Sequence, residues 1–347
     1  MRLAIGSYTS KPAPQGVSDA AITLAELDPK TGKLAVLATD RQAQQPSWVA
    51  WSPDGRTLFA TAEGGDPSRF ASYAVGPEGS LNAASDIEVR GRAFCHLAAS
   101  PDRLYAAAYS SGSLAVVAVD GATLGPVVAS HAYQGSGPNA RRQKAPHAHH
   151  AALSPDGRWL YVCDLGSDRV WTHDTTTAAC DLVGSTELPA GSGPRHLAFH
   201  PTRPIVYVWC ELRPMVVSFQ HDPATGELAD ERAHDLEADF DLKGVDAGAA
   251  VRVHPSGDLL AMSERKNGRV IMLGLTDGQI DGRVAAFASG ATEPRDFNFS
   301  PDGRWLLVAC QESHWVRTYR LDDDLQPASE PADELRTRMP VCLAFAP

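Results

Sequence analysis

A single hairpin signature recurs seven times along this chain, and few folds are open to a sequence built that way. Each unit opens on Pro or a polar residue, runs through a short apolar strand, turns, and enters a second apolar strand. Pro46-Ser47-Trp48-Val49-Ala50-Trp51 leads into the turn Ser52-Pro53-Asp54-Gly55, and Cys95-His96-Leu97-Ala98 into Ser100-Pro101-Asp102. Pro146-His147-Ala148-His149-His150 precedes Ser154-Pro155-Asp156-Gly157, and Pro194-Arg195-His196-Leu197-Ala198-Phe199 precedes His200-Pro201. Val251-Arg252-Val253 with His254-Pro255-Ser256-Gly257 and Pro294-Arg295-Asp296-Phe297 with Ser300-Pro301-Asp302-Gly303 follow, and Pro340-Val341-Cys342-Leu343-Ala344-Phe345 closes the sequence. Pro-Asp-Gly joins a φ-restricted corner, a turn-capping side chain and a residue tolerant of positive φ, so each unit reads as a tight hairpin.

Successive units start about 50 residues apart, the length of a four-stranded propeller blade. The last unit has one strand and then stops. Its missing partners are offered by the N-terminus, where Leu3-Ala4-Ile5-Gly6-Ser7-Tyr8 resembles the second strand Leu104-Tyr105-Ala106-Ala107-Ala108-Tyr109. The expected fold is therefore an all-β, seven-bladed β-propeller, one domain over residues 1–347, with one blade shared by N- and C-terminal strands. Such closure leaves no open sheet edge.

Composition narrows the function classes. With 43% hydrophobic and 21% charged residues among 347, the chain can bury a sizeable core. No apolar run reaches the roughly 18 to 20 residues that span a bilayer, and the N-terminus reads as a strand rather than a signal peptide. No membrane partner is expected. A formal net charge of −11 offers no basic field for nucleic acid, though it leaves room for a local positive pocket. The six cysteines are scattered without a CxxC pair, which suits free thiols in a reducing cytoplasm.

Hairpin geometry then points to a site. The start of a first strand and the end of a second lie at the same end, opposite the turn, and inner strands line the channel. First-strand starts supply His96, His147, His149, Arg195, His196, Arg252 and Arg295. Second-strand ends supply Glu63, Tyr109, Asp164, Glu211, Arg265 and Gln311. Titratable groups gathered at one mouth are the expected signature of a ligand site. Glu63, Asp164 and Gln311 also suit the plainer task of satisfying strand-end donors, and His96 and His200 read as structural. His147 and His149, two apart, share a face of a strand, and His150 faces the other way. Two imidazoles without a third ligand make a weak zinc signal, and no carboxylate-rich set for calcium is present, so neither metal nor cofactor is expected. Arg195, Glu211 and Arg265 differ in kind, because such charges are costly to bury for stability alone. The run Gly135-Ser136-Gly137-Pro138-Asn139-Ala140-Arg141-Arg142-Gln143-Lys144 reads first as a solvated loop. Since it leads to the mouth, a lid or anion-steering role is its second reading.

These segments resemble the seven-bladed lactonase family, which includes a bacterial 6-phosphogluconolactonase class and the fungal 3-carboxy-cis,cis-muconate lactonizing enzyme. The resemblance runs nearly end to end. It is carried by Gly6-Ser7-Tyr8-Thr9, Asp28-Pro29-Lys30-Thr31-Gly32-Lys33-Leu34, Arg142-Gln143 before Pro146-His147-Ala148-His149, Asp164-Leu165-Gly166-Ser167-Asp168, Gly193-Pro194-Arg195-His196-Leu197, Glu211-Leu212 and Phe297-Asn298-Phe299. It implies an active site containing a histidine of the His147/His149 segment, Arg195, Arg265 and Glu211. The chain departs from the family at Ala250, at Ser263-Glu264-Arg265-Lys266 and at Asp296.

The expected reaction is hydrolysis of a sugar lactone such as 6-phosphogluconolactone. Glu211 would activate water, Arg195 and Arg265 would hold the anionic group and the developing oxyanion, and His147 or His149 would orient the ring or protonate the leaving alkoxide. No Gly-x-Ser-x-Gly elbow supplies a serine nucleophile. His196, Arg142, Tyr109, Glu63, Asp164, Arg252, Arg295 and Gln311 are candidates for substrate binding. Three alternatives use the same residues differently: a cycloisomerase closing a muconate into a lactone, a non-catalytic binding platform, and a metal-dependent lactonase.

Overall fold

The computed structural model describes residues 1–347 as 28 β-strands with no helix. The turns form as their chemistry dictates. Ser52 Oγ donates to Asp54 Oδ1 at 2.6 Å and accepts from the Thr57 N–H at 2.9 Å, while Gly55 takes a φ of 67°. The same bracket recurs at Ser154, Asp156 and Trp159 and at Ser300, Asp302 and Trp305.

The strands make seven four-stranded antiparallel sheets. Six are sequential: blade 1 spans residues 49–89, blade 2 94–132, blade 3 148–187, blade 4 194–235, blade 5 248–288 and blade 6 294–336. Blade 7 joins Pro340–Phe345 to Arg2–Ser7, Ile22–Leu27 and Leu34–Asp40. Leu3 pairs with Phe345 and Ile5 with Leu343, so the two chain ends close the ring in antiparallel register. The seven innermost strands touch one another in sequence around the axis. The propeller and its shared blade are as the repeat implied.

Apolar clusters fill the spaces between neighbouring blades. Tyr207 and Trp209 of blade 4 pack with Leu260, Met262 and Ile271 of blade 5, all fully buried. Leu3, Ile5 and Leu343 of blade 7 pack with Trp305, Leu307 and Val316 of blade 6. Each large aromatic removes roughly 150–250 Å² from water, an upper bound of about 4–6 kcal/mol at about 25 cal/mol per Å². Because these faces are spent on neighbouring blades, the innermost edges are left to carry polar groups.

One irregularity positions the site. In six of the seven inner strands the register skips a residue near the start, as between Ala148 and His150, Pro194 and His196, and Pro294 and Asp296. Such a bulge sets two residues against one on the partner strand, so alternation fails there and both re-aimed side chains reach the channel.

Candidate active site

Two rings of side chains, one residue per blade, form the mouth. The outer ring lies just beyond the second strands: Tyr8, Glu63, Tyr109, Leu165, Glu211, Arg265 and Gln311. Each donates its backbone N–H to the carbonyl just before the inner strand of its own blade, at Met339, Gln45, Ala93, His147, Gly193, Ala247 and Glu293 respectively, over 2.8–3.1 Å. The inner ring is the bulge position of six blades, Cys95, His149, Arg195, Ala249, Arg295 and Val341, completed by Ser47 just before the inner strand of blade 1. Below it Trp48, His96, His150 and His196 plug the channel, with Trp48–His96 and His96–His150 ring centroids 3.9 Å apart and His150–His196 at 4.5 Å.

Glu211 is the anchor of one side of the mouth. Arg142 Nη2 donates to its Oε1 at 2.7 Å, Arg195 Nε donates to its Oε2 at 2.9 Å, and Arg265 Nη2 lies 3.2 Å from Oε1. Burial opposes ionisation of this carboxyl, but Arg265, Arg195 and Arg142 together outweigh it and hold its pKa down at about 2. One carboxylate against three guanidinium groups leaves net positive charge in a protein of strongly negative total charge. Burial, and repulsion from Arg265 and Arg295, lower the pKa of Arg195 to about 10 despite Glu211, so it stays charged at neutral pH. Arg142 arrives on the loop read as solvated. That loop is pinned, because Gln143 is fully buried and donates Nε2 to Leu165 O at 2.9 Å and to Asp168 Oδ1 at 2.7 Å.

Tyr109 accepts from Arg142 Nη2 at 3.1 Å and stacks on His147 at 4.4 Å. His147 Nδ1 donates to the Tyr109 carbonyl at 2.9 Å, which places the lone pair on Nε2. Across the mouth, Tyr8 donates to Glu63 Oε2 at 2.6 Å and accepts from Arg295 Nη2 at 2.9 Å, with the Arg295 guanidinium 5.2 Å from the Tyr8 ring. Tyr8, Glu63 and Gln311 line a groove that also takes in Lys11 and Glu312. Burial and Arg195 hold the pKa values of His149 and His196 far below the ordinary imidazole range, burial with Arg252 and Arg195 does the same for His150, and all three are neutral.

Several expectations need correction. Asp164 is not at the mouth. It sits one residue short of the outer ring, opposite Ala148, and its carboxylate accepts from His147 N–H, Gly166 N–H, Ser167 Oγ and Trp171 Nε1. Glu264 plays the same turn-holding part in blade 5, accepting from the Lys266 and Asn267 N–H groups. Arg252 lies at the opposite mouth, because it follows the bulge by three residues rather than starting the strand. There it donates to Asp296 Oδ1 at 3.0 Å and lines a cavity with Trp51, Asn298 and Phe345. His147 precedes its strand, which begins at Ala148, and His150 faces the channel beside His149 because of the bulge. Glu211, expected as a proton acceptor, has both oxygens engaged by arginines and is a weak base at neutral pH. Tyr8 and Ser47 were missed, although the shared blade already gave Tyr8 the register of Tyr109. No group of three or more His, Cys, Asp or Glu is arranged to hold a metal ion.

Residues 2–345 match the family described as Lactonase, 7-bladed beta-propeller. The chain belongs to the seven-bladed lactonase family. Among its relatives in that family is the 6-phosphogluconolactonase of Bacillus subtilis, 26% identical over 349 residues, covering 98% of this chain and 97% of the relative. The 6-phosphogluconolactonase of Yersinia pestis is 29% identical over 308 residues, covering 84% and 85%. Of solved structures, the periplasmic gluconolactonase of Pseudomonas aeruginosa superposes with a TM-score of 0.86 at 28% identity, covering 100% of this chain and 99% of the other.

Proposed function

We propose that this protein hydrolyses a sugar lactone bearing an anionic group, with 6-phosphogluconolactone as the substrate and 6-phosphogluconate as the product. The observation that carries the reading is the convergence of Arg142, Arg195 and Arg265 on the single carboxylate of Glu211, which leaves an electropositive mouth. A planar fork of donors suits a phosphate or carboxylate, which it can meet with two parallel hydrogen bonds. Relatives named 6-phosphogluconolactonase support the phosphorylated substrate. Six buried cysteines, all free thiols, fit the cytoplasmic setting we assign to it.

In this scheme Glu211 fixes the guanidinium groups rather than taking a proton. His147 Nε2 accepts the proton of the attacking water, its ring held by the Tyr109 carbonyl and the Tyr109 ring. Arg142 and Arg265, at the exposed side of Glu211, hold the phosphate, and Arg195 faces the reacting carbonyl.

The test is hydrolysis of freshly prepared 6-phosphogluconolactone against gluconolactone, with spontaneous opening subtracted and chelator present and absent. Preference for the phosphorylated lactone, unaffected by chelator, is the expected result. Equal rates on both would remove the phosphate assignment. Acceleration of neither, together with ring closure of a muconate, would transfer the site to cycloisomerase chemistry.

A further inference from the structure

Inside the mouth, between Arg195 and Arg295, lies a partly enclosed cavity that offers the centre of a water molecule only ≈ 10 Å³, about the room one oxygen-sized group needs. Three of its lining residues, Ser47, His149 and His196, each hold a buried polar atom without a partner in the protein: Ser47 Oγ, His149 Nδ1 and His196 Nδ1. Buried polar atoms are seldom left unpaired, and three on residues that line one oxygen-sized space point to what it is built to take.

Most of the groups there are donors. A guanidinium nitrogen can only donate, so the 3.1 Å contact from Arg195 Nη1 makes His196 Nε2 the acceptor and puts the proton on Nδ1. Arg195 spends Nε on Glu211 and Nη1 on His196, leaving Nη2, and Arg295 spends Nη2 on Tyr8, leaving Nε and Nη1. Ser47 adds a hydroxyl. One carboxylate, Glu63, is also on the wall, and it accepts from the Tyr8 hydroxyl. The space therefore suits a single acceptor oxygen of partial or full negative charge, too small for a phosphate.

We propose that this cavity receives the carbonyl oxygen of the lactone and stabilises it as an oxyanion, with Ser47 and Arg295 as catalytic residues alongside Arg195. The assignment rests on the lactonase reading above and adds to it. As water bonds to the carbonyl carbon, its proton passes to His147 and the C=O π pair moves onto the oxygen in the cavity. On collapse that pair re-forms C=O, the ring C–O bond breaks, and the departing alkoxide takes the proton from His147, giving the open hydroxy acid. The phosphate stays outside on Arg142 and Arg265, so the two arginine groups divide the labour between binding and chemistry.

Ser47 gives the sharpest test, because its hydroxyl supports nothing else. Ser47→Ala is compared with wild type for kcat, KM and Tm on 6-phosphogluconolactone. The expected result is a roughly 100-fold fall in kcat, KM within about twofold, and Tm no lower than wild type. An active wild type whose Ser47→Ala variant keeps kcat within about threefold overturns the oxyanion assignment and leaves the lactonase reading intact. A variant that raises KM at unchanged kcat, or that loses activity together with Tm, also overturns it, since the hydroxyl would then serve ground-state binding or folding. A wild type that accelerates no lactone overturns both.

Discussion

Arg195 and Glu211 meet through Nε and Oε2 at 2.9 Å with both side chains no more than 5% exposed. Breaking such a pair from one side leaves an uncompensated buried charge, which typically costs about 3–5 kcal/mol. Glu211→Gln leaves three guanidinium groups without their shared counter-charge, so Tm should fall and kcat with it, by at least about 100-fold. Glu211 also makes folding acid-sensitive. Its pKa is depressed in the folded state, from an ordinary value of 4.5 to about 2. The stability it contributes is therefore complete above about pH 4.5 and is lost as pH falls toward 2, on the order of 3 kcal/mol in all. Denaturant titrations of wild type and Glu211→Gln from neutral pH down to about pH 3 check this. The wild-type curve should lose more stability than the variant across that window, and parallel curves would refute the ion-pair account.

The repeat made the architecture legible, since seven hairpins and an unfinished last blade left the N-terminal strand one place to go. It also put Arg195, Glu211 and Arg265 at one mouth, because first-strand starts and second-strand ends share an end of every hairpin. The same rule misplaced Arg252 and Asp164 by a few residues. The fifth unit was anchored on Val251-Arg252-Val253 and missed the strand start at Gly248, and Asp164 stands one residue inside the ring. Strict alternation then misassigned His150, because a bulge is a local register change that no residue type in Pro146-His147-Ala148-His149 announces. What Glu211 does was not legible either. A basicity set by three arginines, one from the loop between blades 2 and 3, one from blade 4 and one from blade 5, depends on distances that only the closed ring fixes.

His147 should behave as the proton acceptor. With Nδ1 committed to the Tyr109 carbonyl, Nε2 presents the ring's one free lone pair. His147→Gln is expected to lower kcat by about 100-fold or more, with KM within about twofold and Tm near that of wild type. Steady-state rates on the phosphorylated lactone, together with a thermal melt, separate this from a structural part. A kcat within about threefold of wild type would return the proton to another group.

Substrate choice should reside in the outer arginines. Arg142 is about one-third exposed and Arg265 less so, which leaves both within reach of a ligand at the mouth. Arg265→Met should raise KM for 6-phosphogluconolactone by about tenfold or more and change KM for gluconolactone little, since only the first carries the phosphate. Wild-type KM for the phosphorylated lactone should also rise with ionic strength, as expected where charges at a partly wet mouth steer an anion. Equal losses on both substrates would show that Arg265 acts through Glu211 alone.

A last expectation concerns the seam between blades, far from the chemistry. The turn Asp222-Pro223-Ala224-Thr225-Gly226 of blade 4 covers Trp159 of blade 3, whose Nε1 donates to Pro223 O at 2.9 Å. Gly226 takes a φ of 73°, and a Cβ there would lie 2.5 Å from the indole. The turn at Gly32 repeats this over Trp305, with φ 72° and a Cβ only 2.3 Å from that ring. Alanine at either glycine meets two separate penalties, left-handed backbone and a blocked close approach to a packed ring. Gly226→Ala should therefore destabilise the fold by roughly 2–4 kcal/mol, more than conformational strain of about 1 kcal/mol would give alone. Trp159→Phe in the same background opens room over the turn and should recover part of the loss. Denaturant midpoints of the two single variants and the double variant measure that coupling. A simple sum of the single effects would mean that backbone strain, rather than contact with the indole, dictates glycine at this seam.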